Sequence, residues 1–336
     1  MVSSSRRWDP ATEWRIHNLL QDGEKIFYPL LAVVAVPVNV LTIVILNRGK
    51  CGLSKCVTRY LVAMAAADLL VIVFDLIFRQ IPVVYRIHFR FLLHLPICNI
   101  HAVLLYAATD CSVWFTVTFT FDRFVAISCQ KVKSKYCTEK MSVLVLATVI
   151  GLSCLKNVFW YFMFTSKYWL VNDPWFCKVT MDVMTSRVWV TIEFFHYILT
   201  PGVPFILILL LNIFTIRNIL VSSRARQRLR AKSSREIPRD SEMASRKKSI
   251  ILLFLISGNF ILLWTVIMVY IVWLRMYWFG YRSIYIPVFM VELGFMLQLL
   301  SCCTNTGIYA VTQARFRVQF KNVLTYPFAA LTDLIK

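Results

Sequence analysis

The chain is poor in charged residues, and acidic ones are the scarcest. Only 16% of its 336 residues are charged, whereas a soluble domain has about a quarter. Asp and Glu number 17 against 37 Lys and Arg, while 59% of the residues are hydrophobic and the mean hydropathy is +0.66. No single soluble core hides that much apolar surface. The composition therefore excludes a cytosolic enzyme, a small secreted disulfide module and a disordered protein.

Several chemical motifs are missing as well. The ten cysteines form no Cys-x-x-Cys pair and no cluster with histidine, so the sequence offers no metal site of that kind. No nucleophile–base pair is visible, so we expect neither an enzyme nor a cofactor. No Asn-x-Ser/Thr sequon occurs, so N-glycosylation is not expected. The net charge of +20 lies in short segments between apolar runs, which indicates the lipid bilayer rather than nucleic acid as a partner.

What the sequence does contain is seven apolar runs, each long enough for a membrane crossing of about twenty residues. They lie at about 26–46, 58–78, 97–121, 141–164, 188–216, 249–274 and 284–310, and we number them span one to span seven. The pattern predicts an all-α membrane protein, a seven-helix bundle. Its expected parts are an N-terminal segment 1–25, the bundle 26–310 with a third inner loop at about 217–248, and a tail 311–336.

The distribution of Lys and Arg predicts the orientation. The segments after spans one, three and five and the tail hold 24 of them if Arg59 in the first turn of span two is included, whereas the N-terminal segment and the other three loops hold 12. Basic residues accumulate on the cytoplasmic side of a membrane protein. We therefore expect the N-terminus outside the cell and the C-terminus in the cytoplasm. The Arg-rich loop at about 217–248 is either a solvated segment bound to lipid headgroups or a docking site for a partner.

Polar residues inside the spans mark function, because they are costly in hydrocarbon. They are Asn39 in span one, Asp68 in span two, Asp122 and Arg123 at the end of span three, and Asn305 and Tyr309 in span seven. With these positions, and with Cys98 standing 25 residues before Arg123, the chain resembles the rhodopsin-like G-protein-coupled receptors from about residue 26 to 321. The resemblance implies a plasma-membrane receptor that couples an extracellular ligand to a heterotrimeric G protein.

The family's activation motifs are present with departures. The resemblance assigns roles in activation and G-protein coupling to Asp122, Arg123, Phe124, Pro204, Phe260, Trp264, Asn305 and Tyr309. Phe124 stands where the family usually has Tyr, and Asn212 likewise replaces a Tyr in span five. Val266 and Thr306 occupy positions where the family usually has proline. These changes leave the level of basal activity open.

Two sites follow from the resemblance alone. It implies a disulfide between Cys98 and Cys177, which pins the second outer loop over the bundle. It also implies an allosteric sodium ion held by Asp68, Ser112, Ser301 and Asn305, whose side chains all carry oxygen. The alternative for Asp68 is a protonated carboxyl group held by hydrogen bonds alone.

Arg123 is the expected switch. In resting members of the family this arginine pairs with the preceding aspartate, here Asp122, and often with an acid at the inner end of span six. Eighteen residues before Trp264, at the place of that acid, this chain has Arg246. Because two guanidinium groups repel each other, the second restraint is absent and we expect basal signalling.

The candidate ligand pocket combines charges of both signs with aromatic rings. Its candidate residues are Asp75, Arg79, His101, Tyr106, Asp110, Glu193, His196, Trp264, Ile267, Phe289 and Glu292. Each of them could instead be a satisfied structural group within the bundle, and Asp75 and Arg79 stand one turn apart, where an i,i+4 pair is possible. Leu105 and Leu299 stand where amine receptors have their Asp and opsins their Lys, so a monoamine or retinal ligand is not expected. The mixture favours a zwitterionic or amide ligand with an aromatic part.

The stretch Asn259–Thr265 is similar to that of orphan receptors which respond to tryptophan and phenylalanine, and FMRFamide-type peptide receptors share features of span five. The resemblance implies an aromatic amino acid or short peptide as ligand, and coupling to Gq/11 with Gi as a second option. Around Phe316 the tail resembles an amphipathic helix on the inner leaflet. It offers only Thr325 and Thr332 beyond that helix, so arrestin recruitment through it is expected to be weak.

Two functions of other classes remain open. One is a seven-helix transporter or proton-coupled channel that uses Asp68, Asp110 and Glu193 as a relay. It leaves the spacing between Cys98 and Arg123 unexplained. The other is a receptor-like binding protein that does not signal, which the altered activation motifs make conceivable.

Overall fold

The structure of the chain is a computed structural model, and it describes residues 9–85, 95–162, 187–232, 241–278, 285–287 and 289–335. All regular secondary structure in these ranges is helical. The names span one to span seven are kept for the helices found at the predicted places. We call the end of the bundle that holds Arg123 the inner end, and the end that holds Cys98 the outer end.

Four spans are single helices: span one is Pro10–Asn47, span three Leu95–Ser128, span six Ser241–Trp278 and span seven Phe289–Thr312. The other three are built from pieces. Span two consists of Lys55–Val71, a π-helical segment Ile72–Gln80 and Ile81–Tyr85. Span four consists of Glu139–Asn157 and a 3₁₀ segment Val158–Phe162, and span five of Arg187–Tyr197, a π-helical segment Ile198–Gly202 and Val203–Lys232. A short helix, Gln130–Tyr136, follows span three, and the tail helix is Ala314–Ile335.

Six of these elements, spans one to six, are long and apolar enough to cross a membrane on length and composition alone. Span seven is not one of the six, and three of its polar side chains, Gln298, Asn305 and Thr306, are buried against the other helices. Its polar residues thus face protein rather than lipid, as expected for polar groups at membrane depth. The described helices form an all-α bundle of seven spans, which confirms the predicted fold class.

Two boundaries differ from the expected ones. Span one begins at Pro10, sixteen residues before the predicted start, because Asp9 caps the helix and proline is favoured in the first turn. Its extension contacts the outer end of the bundle, where His17 Nδ1 lies 3.0 Å from a carboxylate oxygen of Glu292. Much of the expected loop at 217–248 is also helical, since span five continues to Lys232 and span six starts at Ser241. The intervening residues 233–240 lie outside the described ranges.

Span five is interrupted at Thr200, whose backbone is extended (φ −147°, ψ 115°). The following residue is Pro201, and a residue before proline is driven out of the helical region. Pro204 lies in the first turn of the next helical piece, where proline is tolerated. The break therefore lies one turn before the proline that the family resemblance singled out.

Spans six and seven approach closely at Gly294. A Cβ atom placed on Gly294 would lie 2.9 Å from the backbone Cα of Ile267. Both residues are buried, and Ile267 also packs in the cluster around Phe260 and Trp264. The absence of a side chain at 294 is what allows this contact.

We expect Gly294→Ala to destabilise the bundle. Its methyl group has to displace the backbone of span six, and overpacking of this kind costs about 1–3 kcal/mol. Gly307→Ala is the matched control in the same span, because no atom lies within 4 Å of its added Cβ. The measurement is the thermal unfolding temperature of the two purified variants. Equal temperatures for both variants would contradict the close approach.

Candidate functional site

A cavity lies between the spans in the outer part of the bundle. It comprises about 580 Å³ of space between atoms, including its opening to solvent. Its walls come from spans two, three, five, six and seven. The lining residues are Asp75, Arg79, Leu105, Tyr106, Thr109, Asp110, His196, Tyr197, Thr200, Pro201, Trp264, Ile267, Ile271, Phe295 and Gln298. Its walls are mostly apolar with a few convergent polar groups, as is common in small-molecule sites.

Seven of the eleven candidate pocket residues lie in this lining, namely Asp75, Arg79, Tyr106, Asp110, His196, Trp264 and Ile267. The other four are held elsewhere. His101 Nε2 donates to the backbone carbonyl of Phe74 over 2.8 Å, and Glu193 is paired with Arg275. Glu292 contacts His17 of the extended span one, and Phe289 is buried near the start of span seven. Their sequence positions are at the right depth, but their side chains point to these partners instead.

An ion pair on span two forms one wall of the cavity. The Arg79 guanidinium donates to Asp75 Oδ1 over 3.1 Å, and both side chains are more than nine-tenths buried. The pair spans positions i and i+4, where helical side chains meet. The Arg79 guanidinium also lies 4.9 Å from the ring centroid of Phe295 in span seven. The predicted pairing of Asp75 with Arg79 is therefore present, in the π-helical part of the span.

A second ion pair joins spans three and four, and sequence reasoning missed its basic partner. Lys156 Nζ lies 2.8 Å from Asp110 Oδ2 and donates to Thr200 Oγ1 over 3.0 Å. Asn157 Nδ2 donates to the same carboxylate oxygen over 2.6 Å. A lysine within an apolar span was the signal that pointed to it, because such a residue needs a partner. What the sequence lacked was the information that span four faces Asp110.

Aromatic rings surround His196 at the wall formed by span five. Tyr106 and Trp160 are stacked with their centroids 4.0 Å apart, and His196 stands edge-on to both, at 5.2 and 5.1 Å. Its Nδ1 atom is buried without a hydrogen-bond partner among the described residues. The Trp160 indole donates to Asn157 Oδ1 over 3.1 Å, which connects the rings to the Asp110–Lys156 pair.

Below the cavity, Asp68 ties three spans together. Its Oδ1 accepts from Ser112 Oγ over 2.6 Å and its Oδ2 accepts from Asn305 Nδ2 over 2.8 Å. Ser301, the fourth residue of the expected sodium site, accepts from Trp264 Nε1 over 3.1 Å and donates to the backbone carbonyl of Gln298. Three of the four residues thus meet directly, and the fourth, one turn before Asn305 on span seven, binds Trp264 in the cavity wall.

At the inner end, Arg123 pairs with Asp122, as the family resemblance implied. The Arg123 Nε atom donates to Asp122 Oδ2 over 3.0 Å, and Nη1 donates to Ser249 Oγ of span six over 3.3 Å. The Asp122 carboxylate accepts from the Cys56 thiol over 3.2 Å. The side chain of Arg246, three residues before Ser249, lies outside the described part of the structure. Ser249 is thus the described span-six partner of Arg123, and spacing alone had singled out position 246.

Cys137 adds a contact to Asp122 from the loop after span three. Its thiol donates to the backbone carbonyl of Asp122 over 3.7 Å. Burial, and then the nearby Asp122 carboxylate, raise the pKa of Cys137 to about 12. The thiol therefore remains protonated and can act as a donor.

The remaining activation residues lie along the same axis. Phe260 stacks on Trp264 with centroids 5.4 Å apart, and Tyr309 packs edge-on against Phe316 of the tail helix at 6.1 Å. Phe124 is half-buried beside Phe121. The hydroxyl of Tyr309 is buried without a hydrogen-bond partner among the described residues. Such a group is available for a different contact when the helices rearrange.

Cys98 at the outer end of span three is disulfide-bonded. Cys177, its expected partner, lies outside the described residues, so the pairing stays a prediction. The eight remaining cysteines are free. Among the described residues no group of three or more His, Cys, Asp or Glu side chains is placed to hold a metal ion.

A comparison with protein-family models gives one match. The model described as "7 transmembrane receptor (rhodopsin family)" matches residues 38–309. The match covers most of the chain, from the middle of span one to Tyr309. It includes both the cavity and the Asp122–Arg123 pair.

Proposed function

Because the chain belongs to the rhodopsin family of seven-transmembrane receptors, we propose that it carries a signal from an extracellular ligand to a heterotrimeric G protein. The observation that supports this most is a set of buried hydrogen bonds between the cavity and Asp68, on helices that continue to the inner end. Trp264 lines the cavity and donates to Ser301, one turn before Asn305, which donates to Asp68. Ser112, the other donor to Asp68, shares span three with Arg123.

The mechanism is a shift between two populations of the bundle. A ligand activates only if it binds the open state better than the closed one. Contacts of the ligand with Trp264 change the packing of span six. Ser249, at the inner end of the same span, accepts a hydrogen bond from Arg123. Moving the inner end of span six breaks this bond and frees Arg123 for the G protein.

The ligand is an aromatic amino acid or a short peptide. Support comes from the cavity itself, which combines the Asp75–Arg79 pair with the rings of Tyr106, Trp264 and Phe295. An aromatic side chain fits against these rings. Coupling to Gq/11, with Gi as a second option, follows the resemblance of the span-six sequence. Ile267 at the pocket-facing turn after Trp264 departs from that group, which uses an arginine on span six.

The protein is a multi-pass membrane protein, and its proposed location is the plasma membrane with the N-terminus outside. The bias of Lys and Arg supports this orientation. Phe316 and Phe320 stack at 6.0 Å on one face of the tail helix, and Arg317 binds the last carbonyls of span seven. This helix then lies along the inner leaflet, and arrestin is a weak partner.

The transporter alternative finds less support. Each acid of its relay has partners inside the bundle: Asp68 has Ser112 and Asn305, Asp110 has Lys156, and Glu193 has Arg275. Acids held in separate contacts do not pass a proton from one to the next. The non-signalling alternative is decided by the basal-activity measurement described below.

A sodium ion beside Asp68 is part of the proposal. Oxygen atoms of a carboxylate and of hydroxyl groups are the ligands that a hard cation prefers. Asp68, Ser112 and Ser301 supply such atoms, and Asn305 holds the carboxylate in place. Asp68, Ser112 and Ser301 would hold such an ion, and its positive charge would stabilise the ionised carboxylate between spans two, three and seven.

Arg123→Ala is expected to abolish agonist-free signalling in transfected cells, because the variant loses the guanidinium that the G protein engages. Calcium, inositol phosphate and cAMP are read side by side at matched surface expression. Arg48→Ala is the control, since it removes an exposed positive charge from the same side of the bundle. A basal signal that persists in Arg123→Ala would refute the assigned role. If the parent receptor shows no basal signal, and no signal when aromatic amino acids or short peptides are added, the non-signalling alternative is favoured.

Arg246→Glu is expected to lower basal signalling several-fold. Position 246 precedes Ser249, which accepts from Arg123, by about one helical turn, so a carboxylate there is expected to restore the restraint on span six that the sequence lacks. Arg246→Ala, which removes the charge without adding an acid, controls for loss of the arginine. Equal basal activity in the two variants at equal surface expression contradicts the restraint.

Sodium is expected to raise the thermal unfolding temperature of the purified receptor relative to potassium at equal ionic strength. Asp68→Asn removes the carboxylate and should remove the difference between the two cations. Ser112→Ala should reduce it. A parent receptor that is equally stable in both salts would leave Asp68 as a protonated, hydrogen-bonded group without an ion.

A further inference from the structure

Asp110 lines the cavity, but its carboxylate is already paired with a cationic side chain of the protein, Lys156. Asp110 is only 1% exposed, and its Oδ2 atom receives Lys156 Nζ at 2.8 Å and Asn157 Nδ2 at 2.6 Å. Lys156 reaches this place from span four, which contributes no residue to the lining. Its ammonium also donates to Thr200, another lining residue, over 3.0 Å. A primary ammonium is thus held at the cavity wall by a tether of four carbon atoms.

The charges around the cavity are balanced only because of this lysine. The ionised residues in the lining are Asp75, Arg79 and Asp110. Asp75 and Arg79 neutralise each other at 3.1 Å. Without Lys156, the lining would carry one buried negative charge with no opposite charge beside it, which is a strong site for a cation. With Lys156 present, neither a cation nor an anion finds an uncompensated charge.

We propose that Lys156 is a specificity-determining residue of this cavity. Its ammonium is paired with the Asp110 carboxylate, which would otherwise bind the protonated amine of a ligand. The cavity therefore rejects ligands with a net positive charge. The ligands it accepts carry no net charge, such as zwitterions and amides. This inference rests on the proposed function only in taking the cavity as the ligand site.

The two single variants of the pair should change the charge preference of the cavity in opposite directions, one towards cationic ligands and the other towards anionic ligands. Lys156→Met keeps the length of the alkyl stem and removes the ammonium, which leaves Asp110 available to an amine. Asp110→Asn keeps the shape of the acid and leaves the Lys156 ammonium available to a carboxylate. The double variant Lys156→Met/Asp110→Asn carries neither charge and should resemble the parent in binding neither ion.

The experiment uses the purified full-length receptor and two probes with the same indole ring, tryptamine and indole-3-propionate. Binding is measured by the concentration dependence of the thermal unfolding temperature, because a ligand that binds the folded state stabilises it. Tryptamine should bind Lys156→Met at least about tenfold more tightly than the parent, given the strength of a desolvated charge pair. Indole-3-propionate should show the same gain with Asp110→Asn and none with Lys156→Met.

A buried unpaired charge can prevent folding, so each single variant is also prepared with its matching probe present throughout expression and purification. Tryptamine should increase the yield of folded Lys156→Met, and it should leave the yield of the double variant unchanged. If Lys156→Met is not recovered even with tryptamine while the double variant is, an external amine does not reach Asp110 and the proposal is wrong. It is equally wrong if tryptamine binds the parent as tightly as Lys156→Met, or if its gain persists in the double variant.

Binding measured in this way needs no G protein. A receptor without basal or ligand-induced signalling whose Lys156→Met variant gains tryptamine binding contradicts the proposed function and supports the role of Lys156. A receptor that signals but shows no gain contradicts the role of Lys156 alone.

Discussion

The carboxylate of Asp68 is the interaction on which the rest of the bundle depends. It accepts one hydrogen bond from span three and one from span seven, and so joins three helices at the depth where lipid offers no polar partner. Through Ser301 the same region reaches Trp264 in the cavity wall. Through span three it reaches Arg123. Any displacement of these helices relative to one another has to change the surroundings of this acid.

Irregular backbone occurs in the walls of the cavity. Asp75 and Arg79 lie in the π-helical segment of span two, and Thr200 lies at the break in span five. The break brings the Thr200 hydroxyl within reach of both Trp114 and Lys156, at 3.2 and 3.0 Å. Side chains of spans three and four thereby hold the interrupted segment. Departures from regular helix at membrane depth are tolerated where they line a cavity or are buried in protein.

The polar groups at the inner end are also paired with each other. The Asp122 carboxylate accepts hydrogen bonds from Arg123 and from the Cys56 thiol, and its backbone carbonyl accepts one from the Cys137 thiol. From span six, Arg123 has the uncharged hydroxyl of Ser249 as its partner. A single hydrogen bond from a guanidinium to an uncharged hydroxyl restrains a helix less than an ion pair does. The restraint on span six is correspondingly slight at this contact.

How far the sequence predicted the site varies from residue to residue. The Asp75–Arg79 pair followed from helical spacing within one span, and the meeting of Asp68 with Ser112 and Asn305 followed from positions shared with a known family. Glu193 and Glu292 were assigned to the pocket by depth alone, and their side chains bind Arg275 and His17 instead. The depth of a residue along a span can be predicted from the sequence, whereas the direction of its side chain depends on the rotation of its helix.

The sequence by itself determined the seven spans and the places of their costly polar groups, because hydrocarbon imposes those constraints on each helix separately. Only the tertiary structure decided that Lys156 meets Asp110, because that contact depends on how span four is turned against span three.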